Sequence, residues 1–175
     1  MSSRLIVLDR DGVINVDHGY IHRWEDWEWT PGAPFALREL KRAGYDTAIV
    51  TNQSGVGRGM YTVDDYFELM AEAKEDLFYQ LGHQSGYWPT VVCACFHGPD
   101  EGCECRKPGI KFWTQEIEPA FAPIDLSQSW MVGDKDSDMA FGRAAGLQTA
   151  KIPDDYGSLH HFAEQLLNKR IPTHG

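Results

Sequence analysis

The feature that most constrains this chain is the passage from Leu5 to Gly12. Leu5, Ile6, Val7 and Leu8 form a continuous β-prone apolar run, and Asp9, Arg10, Asp11 and Gly12 follow without a spacer. An apolar run with no polar alternation reads as a strand buried on both faces, which means an inner strand of a parallel sheet covered by helices. The two carboxylates then sit at its carboxyl end, where Gly12 lets the backbone turn sharply.

Four further segments read as strands: Thr47 to Val50, Val91-Val92, Trp130 to Val132 and Gln148 to Ala150. Between them lie helical patterns. Phe35 to Ala43 buries Leu37 and Leu40 and stops at Gly44. Thr62 with Asp65 three residues on makes a capping-box-like start, and Val63, Tyr66, Phe67, Met70, Ala73, Leu77 and Leu81 repeat at helical spacing until Gly82. Lys111 to Phe121, Asp136 to Ala145 and Ser158 to Asn168 complete the set. Strands alternating with helices predict an α/β fold, a Rossmann-like three-layer sandwich with a mainly parallel sheet and right-handed crossovers. At 175 residues the chain is expected to form a single domain, residues 1–175.

In such sheets ligands gather beyond the carboxyl ends of the strands. Three strand ends here carry polar groups: Asp9 and Asp11 after the first, Thr51, Asn52 and Gln53 after the second, Gly133, Asp134 and Lys135 after the fourth. An isolated D-x-D is most often a turn or cap. Asp134 and Asp138 in GDKDSD add acidity that is intolerable unless protonated or compensated by a cation, and Mg²⁺ takes hard oxygen ligands of this kind together with a substrate phosphate. Phosphate monoester hydrolysis needs a nucleophile, a leaving-group acid and neutralising charge. Asp9 is expected to attack phosphorus and form an aspartyl phosphate. Asp11 would protonate the leaving oxygen and then activate water, Thr51 would hold equatorial oxygens, and Lys107 would neutralise the charge that develops.

These residues resemble the haloacid dehalogenase-like phosphatases, whose hallmark is a D-x-D-G strand end, a Thr or Ser after the second strand, a Lys and a late acidic G-D. Within them, LDRDGVINVDHGY, TNQSGVGRG, CRKP and MVGDK are similar to the D-glycero-D-manno-heptose 1,7-bisphosphate 7-phosphatases, the zinc-bearing branch without a cap domain. The resemblance covers roughly residues 4 to 150. It implies hydrolysis of the 7-phosphate in nucleotide-activated heptose synthesis for lipopolysaccharide or surface polysaccharide, with Asp9, Asp11 and Asp134 around Mg²⁺. It also implies substrate contacts from Asp17, His18, Gly19 and Tyr20, from Thr51, Asn52, Gln53 and Ser54, and from Arg106, Lys107 and Lys135. Arg58 could join them or be a solvated loop residue. Asp138 could order the metal site or cap a helix. Residues 13 to 46 and 55 to 104 are too short for a cap.

Cys95-x-His97 followed by Cys103-x-Cys105 offers the ligand set of a closed structural zinc site, in a loop at about 93–107 whose GPDEG stretch has no apolar content to hold it. Zinc would fix the segment that carries Arg106 and Lys107. Cys93 could replace a ligand, but C-x-H…C-x-C selects Cys95. The remaining histidines, His22, His83, His160, His161 and His174, read as surface residues. Trp24, Trp27 and Trp29 could face a sugar, although packing on the core is the better reading.

Asp and Glu total 26 against 16 Lys and Arg, a net charge of -10, so nucleic acid is not an expected partner. No apolar run approaches a membrane span and the start lacks a signal peptide's apolar core, so the expected location is the cytoplasm and the expected partner a small sugar bisphosphate. The resemblance implies a monomer. Competing readings are histidinol-phosphate phosphatase, which shares the zinc pattern, a DNA 3′-phosphatase, and a non-enzymatic receiver-like domain that gathers carboxylates, a Thr and a Lys around Mg²⁺.

Overall fold

The computed structural model describes residues 2–168. Its centre is a five-stranded sheet of order β3-β2-β1-β4-β5, in which every neighbouring pair is parallel. The strands are β1 (Arg4–Leu8), β2 (Tyr45–Asn52), β3 (Val91–Cys95), β4 (Trp130–Gly133) and β5 (Gln148–Lys151). All five expected strands are present. β1 lies in the middle, and its alternate residues feed two separate cores. Ile6 and Leu8 enter one with Leu37, Leu40, Leu69 and Phe162, while Leu5 and Val7 enter the other with Trp113, Met131 and Phe141. That division explains the uninterrupted apolar run: neither face of the strand meets water.

Helix α1 (Ala33–Arg42) buries Leu37 and Leu40 and is followed by Gly44 at φ 84, a left-handed position that a side chain would strain. Helix α3 (Val63–Gln80) starts with the expected reciprocal bonds between Thr62 and Asp65. α5 (Asp136–Ala144) and α6 (Leu159–Leu167) also match expectation, and α6 seats Leu159, Phe162, Ala163 and Leu166 in the first core.

The region expected as one helix over Lys111 to Phe121 differs. Trp113–Ile117 is π-helical and hands over to α4 (Glu118–Phe121). Pro119 has no N–H to donate to the carbonyl four residues back, and the wider turn there still points Trp113 and Ile117 into the second core. A short helix α2 (Ser54–Gly57), absent from the sequence reading, follows β2 directly.

The segments between β1 and β2 and between β2 and β3 hold no further sheet among the described residues, as the short lengths implied. The tryptophans pack inward: Trp27 is buried, Trp24 and Trp29 lie against the same core, and Trp29 donates to Asp76. His22 is not a free surface residue, since its ring stacks on Tyr61. His174 lies outside the described residues.

Candidate active site

The parallel sheet delivers Asp9, Thr51 and Asp134 to one edge, at the ends of β1, β2 and β4. Lys107 reaches in from the loop after β3. Its Nζ lies 2.8 Å from Asp9 Oδ1 and 2.7 Å from Asp138 Oδ1, and donates to the Val50 carbonyl at 2.6 Å. Each of the three side chains is almost wholly buried. A charge in so dry a place survives only when paired, and here one ammonium serves two carboxylates.

The pKa values follow from that balance. Burial pushes Asp9 up to about 7; Asp138 and Asp11 add to the rise and Lys107 opposes it. For Lys107, burial favours the neutral amine, but Asp9 and Asp138 outweigh it and hold the ammonium above its ordinary value. Burial raises Asp134 as well, with Lys135 opposing and Asp138 adding.

Asp11 faces a different environment. Its Oδ1 accepts from Arg10 Nη2 at 2.7 Å, Arg10 Nε at 3.1 Å and Asn15 Nδ2 at 3.0 Å, while Oδ2 accepts from Gln53 Nε2 at 2.8 Å. Burial works against its charge, yet the Arg10 guanidinium and these hydrogen bonds win and leave it below the usual carboxylate value. Two aspartates two residues apart thus have opposite tendencies before any cation or phosphate is bound, Asp9 toward its neutral form and Asp11 toward its carboxylate.

The carboxylates of Asp9, Asp134 and Asp138 lie within 4.8 Å of one another. Asp138, not the Asp11 side chain, completes this group. Among the described residues Asp134 Oδ1, which is buried, accepts no hydrogen bond, so the cluster has an orphaned hard oxygen donor of the kind Mg²⁺ takes. Asp138 is otherwise committed: besides Lys107, its Oδ2 accepts the Lys135 backbone N–H at 3.0 Å, so it caps α5 and anchors the lysine together.

A cavity of about 340 Å³ opens beside these groups. Asp11, Asp17, Gly19, Tyr20, Asn52, Gln53, Ser54, Arg106, Lys107 and Lys135 all line it, so most of the expected substrate contacts do converge. Several are not free to meet a ligand as expected. Asn52 clamps the Lys107 main chain, accepting its N–H at 3.0 Å and donating to its carbonyl at 3.2 Å. Gln53 is buried and spends its amide on Asp11, Thr51 and Tyr61. His18 faces a neighbouring cavity and pairs with Glu28 at 2.9 Å. Arg58 is exposed at the end of α2 and lines neither cavity. By contrast, Arg106 Nη1 is buried without a partner, and Lys135 Nζ reaches Asp17 at 3.3 Å across the mouth. Among the described residues Arg106 thus keeps an unspent donor where an anion would sit, whereas Lys135 is shared with Asp17 and, at 4.0 Å, with Asp134.

Sequence reasoning missed Arg10 and Asn15, which hold Asp11, and Tyr61 and Ser137, which line the cavity. The spacing of Asn15 four residues after Asp11 was a usable signal. Tyr61 had none, because only the tertiary turn after α2 brings it back to Gln53.

On the loop after β3, Cys95, His97, Cys103 and Cys105 present ligand atoms within 4.8 Å of one another. The Cys105 sulfur is 3.3 Å from that of Cys95 and 3.2 Å from His97 Nδ1. Three sulfurs and one imidazole nitrogen drawn to a common centre suit a tetrahedral soft-metal site. Cys93 is not in the group; it packs in the second core beside Trp113. Gly57 of α2 touches this loop so closely that a side chain there would collide with the Gly98 nitrogen and the Phe96 carbonyl.

A family model described as HAD-hydrolase-like matches residues 104–161. A protein from Helicobacter pylori named D-glycero-beta-D-manno-heptose-1,7-bisphosphate 7-phosphatase is 40% identical over 141 residues, 81% of this chain and 78% of that protein. Another of the same name, from Pseudomonas putida, is 36% identical over 170 residues, 97% of this chain and 90% of that one. The crystal structure of D,D-heptose 1,7-bisphosphate phosphatase from B. bronchiseptica, complexed with magnesium and phosphate, superposes with a TM-score of 0.81 at 29% identity, covering 95% of this chain and 99% of that one.

Proposed function

This chain belongs to the haloacid dehalogenase-like phosphatases, in the D-glycero-beta-D-manno-heptose-1,7-bisphosphate 7-phosphatase family, and from that membership we propose how its site works and on what. It is a phosphoric monoester hydrolase whose substrate is the heptose 1,7-bisphosphate and whose leaving group is the sugar's 7-oxygen. The β anomer is the preferred form, by the names of both relatives above, and the reaction fits the step in nucleotide-activated heptose synthesis that the sequence resemblance implies.

Asp9 attacks phosphorus along the line of the departing oxygen and becomes an aspartyl phosphate. Asp11 takes up a proton as the negative charge of the phosphate enters, against the pull of Arg10, gives it to that oxygen, and then takes one from the water that cleaves the acyl phosphate. Thr51 and neighbouring main-chain N–H groups hold equatorial oxygens. Lys107, locked by Asp138 and the Val50 carbonyl, neutralises charge as it spreads over them without having to reorganise. Arg106 and Lys135 take the anionic parts of the substrate, with Asp17, Gly19, Tyr20 and Ser54 around them. The single observation that carries this reading is the buried triad of Lys107 with Asp9 and Asp138, beside an Asp11 held apart by Arg10.

Asp9 and Asp134, with Asp11 through its main-chain carbonyl because its carboxylate is engaged elsewhere, would hold Mg²⁺. When bound there, the ion supplies positive charge against the phosphate and relieves the repulsion among the carboxylates. Cys95, His97, Cys103 and Cys105 would hold a structural Zn²⁺. Thiolate ligation needs reduced cysteines, which favours the cytoplasm as the working compartment. Residues 1–175 act as one catalytic domain, working as a monomer, with the zinc loop at about 93–107. Among the described residues, no helix is long and apolar enough to cross a membrane.

The test is phosphate release from the α and β heptose 1,7-bisphosphates and from histidinol phosphate, with Mg²⁺ present and absent. Release from the β sugar at the highest kcat/KM, dependent on Mg²⁺, is expected. A preference for histidinol phosphate overturns the substrate assignment.

A further inference from the structure

The hydrogen bonds around Asp11 leave one of its oxygens with a single protein partner. Oδ1 is saturated by Arg10 and Asn15, whereas Oδ2 receives only Gln53 Nε2 and belongs to the side chain that lines the cavity. Oδ2 is therefore the oxygen through which Asp11 exchanges its proton, and Gln53 decides where that oxygen is presented. The Gln53 amide makes three bonds: its NH₂ donates to Asp11 Oδ2 and to Thr51 Oγ1, both at 2.8 Å, and its carbonyl accepts from the Tyr61 hydroxyl at 2.6 Å.

We propose that Tyr61 is a positioning residue for the acid step, acting through Gln53. The amide has two orientations related by a half-turn. In the observed one, an N–H occupies one lone pair of Oδ2, so a proton on that oxygen points into the cavity toward the leaving group. In the flipped one, the Gln53 carbonyl faces Oδ2 and would capture that proton in an internal hydrogen bond, withdrawing it from the leaving oxygen. An ionised Asp11 disfavours the flip by itself, because two acceptors would then meet. A protonated Asp11 does not. Tyr61 closes that gap by keeping a donor on the amide carbonyl while Asp11 carries its proton.

Tyr61 is itself fixed for this task. It is buried, its ring lies flat against His22 with centroids 4.8 Å apart, and a side chain at Gly55 would overlap the ring. His22 in turn bonds the Tyr20 carbonyl at 2.7 Å, which ties the arrangement to the loop that lines the cavity. Among the described residues the hydroxyl makes no other hydrogen bond.

The proposal rests on Asp11 being the acid, and the experiment separates the two claims. kcat/KM is measured for Tyr61→Phe, Gln53→Leu and Asp11→Asn with two substrates: 4-nitrophenyl phosphate, whose leaving group departs without a proton, and a sugar phosphate, whose alkoxide cannot. This parameter reports steps up to formation of the aspartyl phosphate. For Tyr61→Phe the sugar phosphate value should fall about tenfold or more, and the aryl value by no more than about twofold. Gln53→Leu also frees Thr51 and should lower both values, the sugar phosphate value by about tenfold more than the aryl value, and that difference carries the test if Tyr61→Phe does not fold. Equal losses on both substrates, or no loss on either, overturn the role of Tyr61. If Asp11→Asn itself shows no selectivity for the sugar phosphate, the acid assignment fails, whatever Tyr61 does.

Discussion

Two regions of this molecule meet at Lys107, and they are ordered by opposite means. At the strand ends, the catalytic side chains are fixed from within: Asp9 and Asp138 grip the ammonium, Val50 adds a carbonyl, and the two cores of the sheet sit directly beneath. The Cys95 to Cys105 loop has no such support. Beyond Phe96 its residues are polar, glycine, ligand-type or the single Pro99, and this stretch approaches the rest of the fold closely at Gly57. The difference teaches a division of labour. Burial orders the half that must stay dry, and the convergence of soft donors orders the half that must stay open to a substrate.

The sharpest way to break that comparison is at the strand ends. Asp9→Asn keeps the shape and removes the nucleophile, so turnover should fall by at least roughly 10⁴-fold. Steady-state phosphate release with Mg²⁺ measures it, and residual activity within tenfold of the parent would move the covalent step to another residue. Next comes Lys107→Met. It strips two buried carboxylates of their shared partner, which should cost about 3 to 5 kcal/mol in urea unfolding as well as activity. If the variant is as stable as its parent, the site is wetter than its burial implies, and the contrast between regions weakens.

The loop predicts a different pattern. Cys103→Ser should release zinc and lower kcat/KM by roughly 10 to 100-fold, because Arg106 and Lys107 lose their outer anchor, in the range that perturbing a metal-site shell produces. Thermal unfolding should shift less than in Lys107→Met, since Cys103 lies outside both cores and strips no buried charge of its partner. Metal analysis, kinetics and calorimetry on one preparation decide it. Collapse of the whole sheet on zinc loss would mean that the two regions are not separately ordered.

How much of this was legible in the sequence follows the same line. The strands were readable because burial on both faces leaves a continuous apolar run, and α3 because its cap and its helical period agree. That Asp9, Thr51 and Asp134 converge was readable because strand ends of a parallel sheet share one edge, whereas Lys107, in the loop after β3, was suggested by the family resemblance and not by a strand end. What side chains spend their hydrogen bonds on was not. Asn52 and Gln53 looked like ligand contacts, and the fold turns both onto their neighbours. Likewise Asp138 could be read as a cap or a metal-site residue, and it proves to be the Lys107 partner through a contact across 31 positions that no local pattern encodes. Glycine-rich α2 and the π-helical turn at Trp113–Ile117 carry no periodic signature at all.

The smallest expected effect concerns pH and needs no turnover. Burial raises Asp9 to about 7 from its ordinary 3.8, which describes the protein before any cation is bound. Between those values the unfolded chain has lost this proton while the folded chain retains it, so stability falls as pH rises through the window. Below it the group makes no difference, and above it the loss is complete. Asparagine has no proton to lose. In Mg²⁺-free buffer, Asp9→Asn should therefore melt higher than the parent by a few degrees at pH 8 and by distinctly less at pH 5. Adding Mg²⁺ should narrow the gap, because the ion stabilises the folded parent by binding and finds a weaker site in the variant. A gap independent of pH would mean that Lys107 alone already neutralises Asp9, and that the carboxylate cluster is not poised to receive a cation.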